Sequence, residues 1–188
     1  MKVLVACEFS GIVRDAFIKK GHDAISCDLL PTERLGPHIQ GDVLDVLLGN
    51  DFDDCDLMIA HPPCTRICNS GVRWLKERNL WEDLDNACNF FNALQGMNIP
   101  TCIENPIPHK YAVEKIGMYN QLIQPWQFGH GETKATCLWL SGLPKLKPTN
   151  IVDGRDGRIW KMPPSKDRAR LRSITYQGIA NAMAEQWG

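Results

Sequence analysis

The chain has 188 residues and a formal net charge of −1, with 44% hydrophobic and 23% charged residues. This length and composition are typical of one soluble globular domain spanning residues 1–188. They exclude a membrane-spanning chain, because no apolar run approaches the ~20 residues that cross a bilayer. They also exclude binding to nucleic acid through an overall positive charge. The first residues lack a signal-peptide pattern, so the sequence predicts a cytoplasmic protein.

Apolar and β-branched runs predict strands, and segments with helical spacing alternate with several of them. Strands are predicted at 2–7, 23–28, 38–40, 56–60, 100–103 and 136–140, and helices at 12–20, 81–97 and 179–187. This alternation predicts an α/β fold with a doubly wound, mostly parallel, Rossmann-like sheet. Residues 144–172, which are rich in Pro, Lys and Arg, are predicted to be a basic, loosely structured segment.

Ligands of such sheets bind at the carboxyl ends of the strands. The turn at residues 7–11 contains Glu8, Ser10 and Gly11 and precedes a helix, whose start offers free N–H groups. Asp28 ends the next strand and can accept hydrogen bonds from ribose hydroxyls. The sequence has no GxGxxG motif and no P-loop. These features favour a nucleoside cofactor without phosphate, such as S-adenosyl-L-methionine.

Asp42 and Val43 follow the third strand, so Asp42 adds another acid at this edge. Its carboxylate can accept from the exocyclic amine of adenine. Asp is also favoured as the N-cap of a helix, and both interpretations remain open.

The segment from Asp56 to Cys64 ends a buried strand with His61, Pro62 and Pro63 before the cysteine. Tandem prolines stiffen the chain and present Cys64 at the sheet edge. A thiolate that adds to carbon 6 of cytosine makes carbon 5 nucleophilic enough to attack a methylsulfonium. The alternative is a buried structural thiol.

A second acid at a strand end favours the catalytic interpretation. Glu104 and Asn105 follow the fifth strand, and Pro106 stops it. A carboxyl group here can hydrogen-bond the ring nitrogen and amino group of cytosine. Pro63, Asn105 and His61 are therefore candidate substrate contacts, although His61 also fits a loop histidine bonded to backbone.

Basic residues offer candidate phosphate contacts. Arg66 and Arg73 flank the Cys64 loop, and a second group lies between Arg155 and Arg172. The second group fits phosphate binding and a solvated surface equally well. The eight cysteines are read as reduced thiols. No metal site is predicted, because Cys64, Cys68 and His61 lack further ligands at suitable spacing.

Taken together, these motifs resemble the DNA cytosine-C5 methyltransferase family, and closely its short phage and prophage members. The resemblance rests on Phe9-Ser10-Gly11, Pro63-Cys64 and Glu104-Asn105, which stand in the family's order at similar spacing. It implies a class I S-adenosylmethionine-dependent methyltransferase with Cys64 and Glu104 as catalytic residues. It adds Phe9 to the cofactor contacts, and Asn181, from a Gly-x-x-Asn-Ala segment similar to the family's closing motif.

The sequence departs from the family in three places. Pro106 replaces a valine, and Lys134 stands where a catalytic arginine is expected, with weaker planar recognition. The third departure is the lack of a target-recognition domain, since only residues 143–172 occupy its place. Flipping a base from a duplex requires a grip on both flanks. Such a chain can therefore have loose sequence specificity, prefer single strands, act as a homo-oligomer or use a free cytosine nucleotide.

Two functions of other classes compete with cytosine-C5 methylation of DNA. Amino-group (N4 or N6) DNA methyltransferases also place two prolines after this strand, but an aromatic residue follows where this chain has Cys64. The second alternative is a non-catalytic or regulatory phage protein that binds nucleic acid and retains the same fold.

Overall fold

The computed structural model describes residues 1–49, 52 and 54–188. Seven strands form one sheet: β1 (Lys2–Ala6), β2 (Asp23–Asp28), β3 (His38–Gln40), β4 (Leu57–Ala60), β5 (Thr101–Pro106), β6 (Gln121–Ile123) and β7 (Thr136–Ser141). Eight α-helices occur in the described residues: α1 (Ile12–Lys19), α2 (Val43–Leu48), α3 (Arg73–Glu77), α4 (Trp81–Gln95), α5 (Lys110–Ile116), α6 (Arg158–Lys161), α7 (Arg168–Ser173) and α8 (Gln177–Gln186).

The strand order across the sheet is β3-β2-β1-β4-β5-β7-β6. The first five strands in this order pair in parallel, and β7 runs antiparallel between β5 and β6. The predicted α/β fold with a mostly parallel sheet is therefore confirmed. Because β1, β4 and β5 are parallel neighbours, their carboxyl ends lie together at one edge.

Each face of the sheet has its own apolar core. On one face, Val3, Val5 and Ile59 pack with residues of α1 and α8. On the other, Leu4 and Met58 pack with residues of α4 and α5. The strands alternate between the two cores, as expected for a sheet covered on both faces.

Several short elements were not predicted from the sequence. They are α2, α3, α5, α6, α7 and β6. Within the described part of the chain, no helix is long and apolar enough to cross a membrane. The basic segment 144–172 contains α6 and part of α7, and two isolated bridges, Phe128 with Asn150 and Glu132 with Asp156, tie it to the preceding loop.

A buried arginine organises the region behind the first turn. Arg14 of α1 has an exposure of 0%. Its guanidinium donates to Asp15, Ser26 and Thr32 and to three loop carbonyls, those of residues 34, 35 and 37. A buried charge persists only when it is paired and hydrogen-bonded in this way.

Two glycines make room for this guanidinium. A Cβ on Gly11 would lie 2.5 Å from an Arg14 nitrogen, and one on Gly36 would lie 2.8 Å from its central carbon. Both glycines also have positive φ values, 70° and 150°. The turn glycine that the sequence assigned to the cofactor therefore has a structural role here.

We expect Arg14→Leu to lower the free energy of unfolding by about 3 kcal/mol or more, because it leaves several buried acceptors without their donor. Urea titration followed by circular dichroism measures this loss. Lys19→Ala, an exposed change on the same helix, should stay within about 0.5 kcal/mol of the wild type. A loss of less than 1 kcal/mol (roughly a single neutral hydrogen bond) in Arg14→Leu would contradict a structural role for the network.

Candidate active site

The turn after β1 is built around the carboxylate of Glu8. This side chain is buried and accepts hydrogen bonds from the N–H groups of Val13 and Arg14, at 2.7 and 3.1 Å. Ser10 donates to the same carboxylate, and its hydroxyl accepts from the N–H of Ile12. The expectation of free N–H groups at the start of α1 is therefore wrong, because Glu8 and Ser10 already occupy them.

Two further acids lie near Cys7, at the end of β1. The pKa of the Cys7 thiol is raised to about 12, first by burial and then by the charges of Asp28 and, more weakly, Asp42. Asp28 accepts from the N–H of Leu30, and Asp42 is the N-cap of α2, where it accepts from Leu44. The capping interpretation of Asp42 is confirmed, although a cap can still lie beside a ligand.

Hydrogen bonds from β5 and the following loop hold the Cys64 segment in place. The side-chain nitrogen of Asn105 donates to the carbonyl of Pro62 at 2.8 Å. His109 Nε2 donates to the Arg66 carbonyl at 2.8 Å, and its other ring nitrogen accepts from Ala112. The segment that carries Cys64 is thus held at both ends.

His61 and Glu104 form a buried pair at the ends of β4 and β5. Ala60 pairs with Ile103 in the ladder, so the two residues that follow are side by side. His61 Nδ1 lies 2.9 Å from Glu104 Oε2, and each side chain is only 10% exposed. Burial alone would raise the pKa of Glu104, but the His61 hydrogen bond and the positive charge of Lys134 lower it below its usual value.

The Cys64 thiol is hydrogen-bonded to a second cysteine one turn further along. The pKa of Cys64 is raised by this bond to Cys68, by burial and by the nearby Glu104 charge. The pKa of Cys68 is lowered by the bond from Cys64 and by a bond from the Ser70 hydroxyl, 3.0 Å away. Cys64 therefore rests as a thiol, beside a more acidic cysteine. No sequence pattern indicated this interaction of Cys68 with Cys64.

Most of the side chains described above line one open cleft of about 1280 Å³. This volume exceeds the ~300–1,000 Å³ of most small-molecule sites. The cleft brings together the predicted residues Glu8, Phe9, Ser10, His61, Pro63, Cys64, Arg66, Glu104, Asn105 and Lys134. It does not include Gly11, Asp28, Asp42, Val43, Arg73 or Asn181, although Asp28 and Asp42 lie beside Cys7, which does line it.

Three of the predicted contact residues interact with neighbouring side chains. Arg66 forms an ion pair with Asp83 at 3.0 Å. Arg73 lies over the ring of Trp74, with its guanidinium carbon 4.2 Å from the ring centroid. Asn181 is exposed on α8 and accepts from Gln177.

The far side of the cleft is formed by the basic segment, which we call the basic wall. Its lining residues are Ile159, Trp160, Pro164, Ser165, Lys166, Arg168, Ala169, Arg170, Arg172, Ser173, Ile174 and Thr175. Lys134 donates to the Ile174 carbonyl and so links the wall to β7. Trp160 is 64% exposed although it borders the cleft. Clustered Lys and Arg were the only sequence signal for this surface.

No family model and no curated protein matches the sequence. A solved structure of a methyltransferase from Entamoeba histolytica, EhMeth, is similar in fold, with a TM-score of 0.51 and 13% identity. The match covers 85% of this chain and 58% of that protein, so the chain spans little more than half of its structural neighbour. The chain therefore has a methyltransferase-like, Rossmann-like fold.

The thiol pair gives a prediction for Cys68→Ser. Removing the acidic thiol should lower the pKa of Cys64, because its hydrogen-bonding and negatively charged neighbour is lost. Iodoacetamide should then label Cys64 several-fold faster at pH 8 than in the wild type. Trypsin cleaves after Arg66, so mass spectrometry can follow the two cysteines in separate peptides.

Cys55→Ser, at the opposite end of β4, is the matched control and should leave Cys64 labelling unchanged. Slower or equal labelling of Cys64 in Cys68→Ser would show that Cys68 does not set its protonation.

Proposed function

We propose that the protein transfers a methyl group from S-adenosyl-L-methionine to carbon 5 of cytosine in DNA, as a short phage or prophage-type member of the cytosine-C5 methyltransferase family. One observation carries this proposal. A cysteine on a proline-stiffened loop and a buried carboxylate from the adjacent strand line the same cleft. This is the pair that nucleophilic addition to a cytosine ring requires.

The sheet edge fits the nucleoside part of the proposed cofactor. Asp28 can accept from ribose hydroxyls, and Asp42 from an adenine amine, beside an exposed Leu29 and Leu30. The start of α1 does not fit an anion, because Glu8 already caps it. When bound, S-adenosylmethionine supplies an electrophilic methyl group. It carries no phosphate, so an occupied helix start does not exclude it.

Cys64 acts as the nucleophile in its thiolate form, after its proton has left to water, and the ring nitrogen of cytosine takes up one proton from water in exchange. Its sulfur then bonds to carbon 6, and the electrons of the ring double bond move toward the protonated ring nitrogen held by Glu104. Carbon 5 thereby becomes nucleophilic. Glu104 is suited to this role because its lowered pKa keeps it a carboxylate, which stabilises the protonated ring. The positive charge of Lys134 helps to keep Glu104 in this carboxylate form.

The hydrogen-bond acceptors at the end of β5 favour cytosine over uracil or thymine. The Glu104 carboxylate accepts hydrogen bonds, and Asn105 Oδ1 is buried with no hydrogen-bond partner among the described residues. Cytosine presents an amino group and, when protonated, a ring N–H to such acceptors. Uracil and thymine present a carbonyl oxygen at the amino position, which would leave the acceptors unpaired.

The basic wall favours a polynucleotide over a free nucleotide. Lys166 and Arg172 have no ion-pair partner in the described part of the chain, whereas Arg170 is bound by Glu33. Two unpaired cations beside an exposed indole match a backbone phosphate and an unstacked base. A single nucleotide held at Cys64 would leave much of this surface unused.

Incubation with labelled S-adenosylmethionine tests the proposal directly, using duplex DNA, single-stranded DNA and dCMP as separate substrates. We expect 5-methylcytosine in DNA, and no transfer by Cys64→Ser, which lacks the nucleophile. DNA containing 5-fluorocytosine should form a stable adduct with Cys64, because its carbon 5 carries no removable proton. Denaturing electrophoresis and peptide mass spectrometry detect it.

Each rival function gives a different result, and Cys55→Ser serves as the active control. Methylation of N4 or N6 would support an amino-group enzyme. Transfer to dCMP alone would support a nucleotide enzyme. Tight cofactor binding with no transfer to any substrate would support a regulatory protein.

The basic wall gives a second prediction. If Lys166 and Arg172 each contact a phosphate, their double change to alanine should weaken single-strand binding and reduce the slope of log K against log salt by about 1.4. Fluorescence anisotropy over a range of NaCl concentrations measures this slope. Lys147→Ala removes an exposed lysine outside the cleft and should leave it unchanged. An unchanged slope in the double variant would place the DNA elsewhere.

A further inference from the structure

The position of His61 between two functional strand ends has a chemical consequence. Its backbone N–H donates to the Ala6 carbonyl at 2.9 Å, so His61 lies beside Cys7 and the turn after β1, where the proposed cofactor binds. On its other side, Glu104 accepts from its ring. In the proposed function, Glu104 holds the ring nitrogen and amino group of cytosine. Carbon 5 is next to the amino-bearing carbon, on the side toward the methyl donor. His61, at the end of β4, lies between the end of β1 and Glu104 of β5.

The protonation of the His61 ring follows from its partner. Glu104 is a carboxylate and can only accept, so Nδ1 carries the hydrogen of the 2.9 Å bond. In the neutral ring, Nε2 then has a free lone pair. This nitrogen is buried and has no hydrogen-bond partner among the described residues, and the side chain forms part of the cleft wall. A carboxylate that orients a histidine whose second nitrogen is free is the arrangement of a general base.

We infer that His61 Nε2 accepts the carbon-5 proton in the step that releases the methylated base; this inference rests on the proposed function. The carbon–hydrogen bond at carbon 5 breaks, and its electrons restore the ring double bond. The bond between carbon 6 and Cys64 breaks, and its electrons return to sulfur. The proton moves to Nε2 and later leaves to water. Glu104 stabilises the imidazolium while it exists.

The experiment follows an oligonucleotide with tritium on carbon 5 of cytosine. His61→Asn preserves an N–H donor toward Glu104 but removes the base. With the methyl donor present, we expect this variant to incorporate methyl groups in its first turnover. Its tritium release should fall about 100-fold or more, and its covalent complex with ordinary cytosine DNA should accumulate on denaturing gels.

A second measurement needs no methyl donor. Reversible addition of Cys64 makes carbon 5 nucleophilic, so it can take up a proton from water and then lose its tritium to the same base. The wild type should therefore release tritium slowly without S-adenosylmethionine, and His61→Asn should not. His22→Asn, outside the cleft, is the matched control and should behave as the wild type. If thermal unfolding shows that His61→Asn does not fold, His61→Gln replaces it.

Two outcomes would overturn the inference while leaving the proposed function intact. Wild-type tritium release by His61→Asn would assign the proton to another acceptor. Methyl incorporation and tritium release that fall together in His61→Leu and both recover in His61→Asn would make His61 a positioning residue for Glu104. A wild type that forms neither adduct nor product with any cytosine substrate would instead reject the proposed function itself.

Discussion

The backbone ladder that joins β1, β4 and β5 determines the geometry of the cleft. Ala6 pairs with Ala60, and Ala60 pairs with Ile103, so the residues that follow stand in one row. With neighbouring strands about 4.8 Å apart, the end of β1 and Glu104 are separated by roughly 10 Å. This is room for one flat heterocycle and a group transferred to it. A shift of one residue in β4 would turn His61 to the other face, and the same shift in β5 would turn Glu104.

The acids at the sheet edge have different tasks, which their burial and partners distinguish. The Glu8 carboxylate accepts hydrogen bonds from N–H groups at the start of α1, and Asp42 caps α2. Glu104 has a histidine and a lysine beside it, and its lowered pKa keeps it charged in the interior. Residue type alone made all of these acids equivalent candidates for ligand binding. In the proposed function, Glu104 is the acid that binds the positively charged ring.

Much of the fold could be predicted because long apolar strands and helices carry strong patterns. All six predicted strands and all three predicted helices exist, with bounds that differ by at most a few residues. The short elements escaped prediction because α2, α5 and β6 span too few residues to show a period. Arg14 was unpredictable for another reason. Its burial depends on acceptors from a loop more than ten residues away.

The candidate site was predictable where one residue type at a strand end implied chemistry, as for Cys64 and Glu104. The candidate site was not predictable where the property of one side chain depends on a hydrogen bond to another. The lowered pKa of Cys68 follows from its bond to Cys64, and the proposed role of His61 from its bond to Glu104. Both bonds arise from local backbone geometry and strand register, which composition and spacing do not reveal.

The distribution of charge in the cleft would also orient the proposed nucleotide substrate. Hydrogen-bond acceptors are concentrated at the sheet edge, on Glu104, Asn105 and His61, whereas unpaired cations lie on the basic wall. A nucleotide has the opposite polarity, with donors on the cytosine edge and negative charge on its phosphates. The lowest-energy orientation therefore directs the base toward the strand ends and the backbone toward the wall. Reversing it would bring phosphate to a buried carboxylate, at a cost that grows as water is excluded. The proposed chemistry and the proposed DNA binding thus require the same orientation, although each rests on different residues.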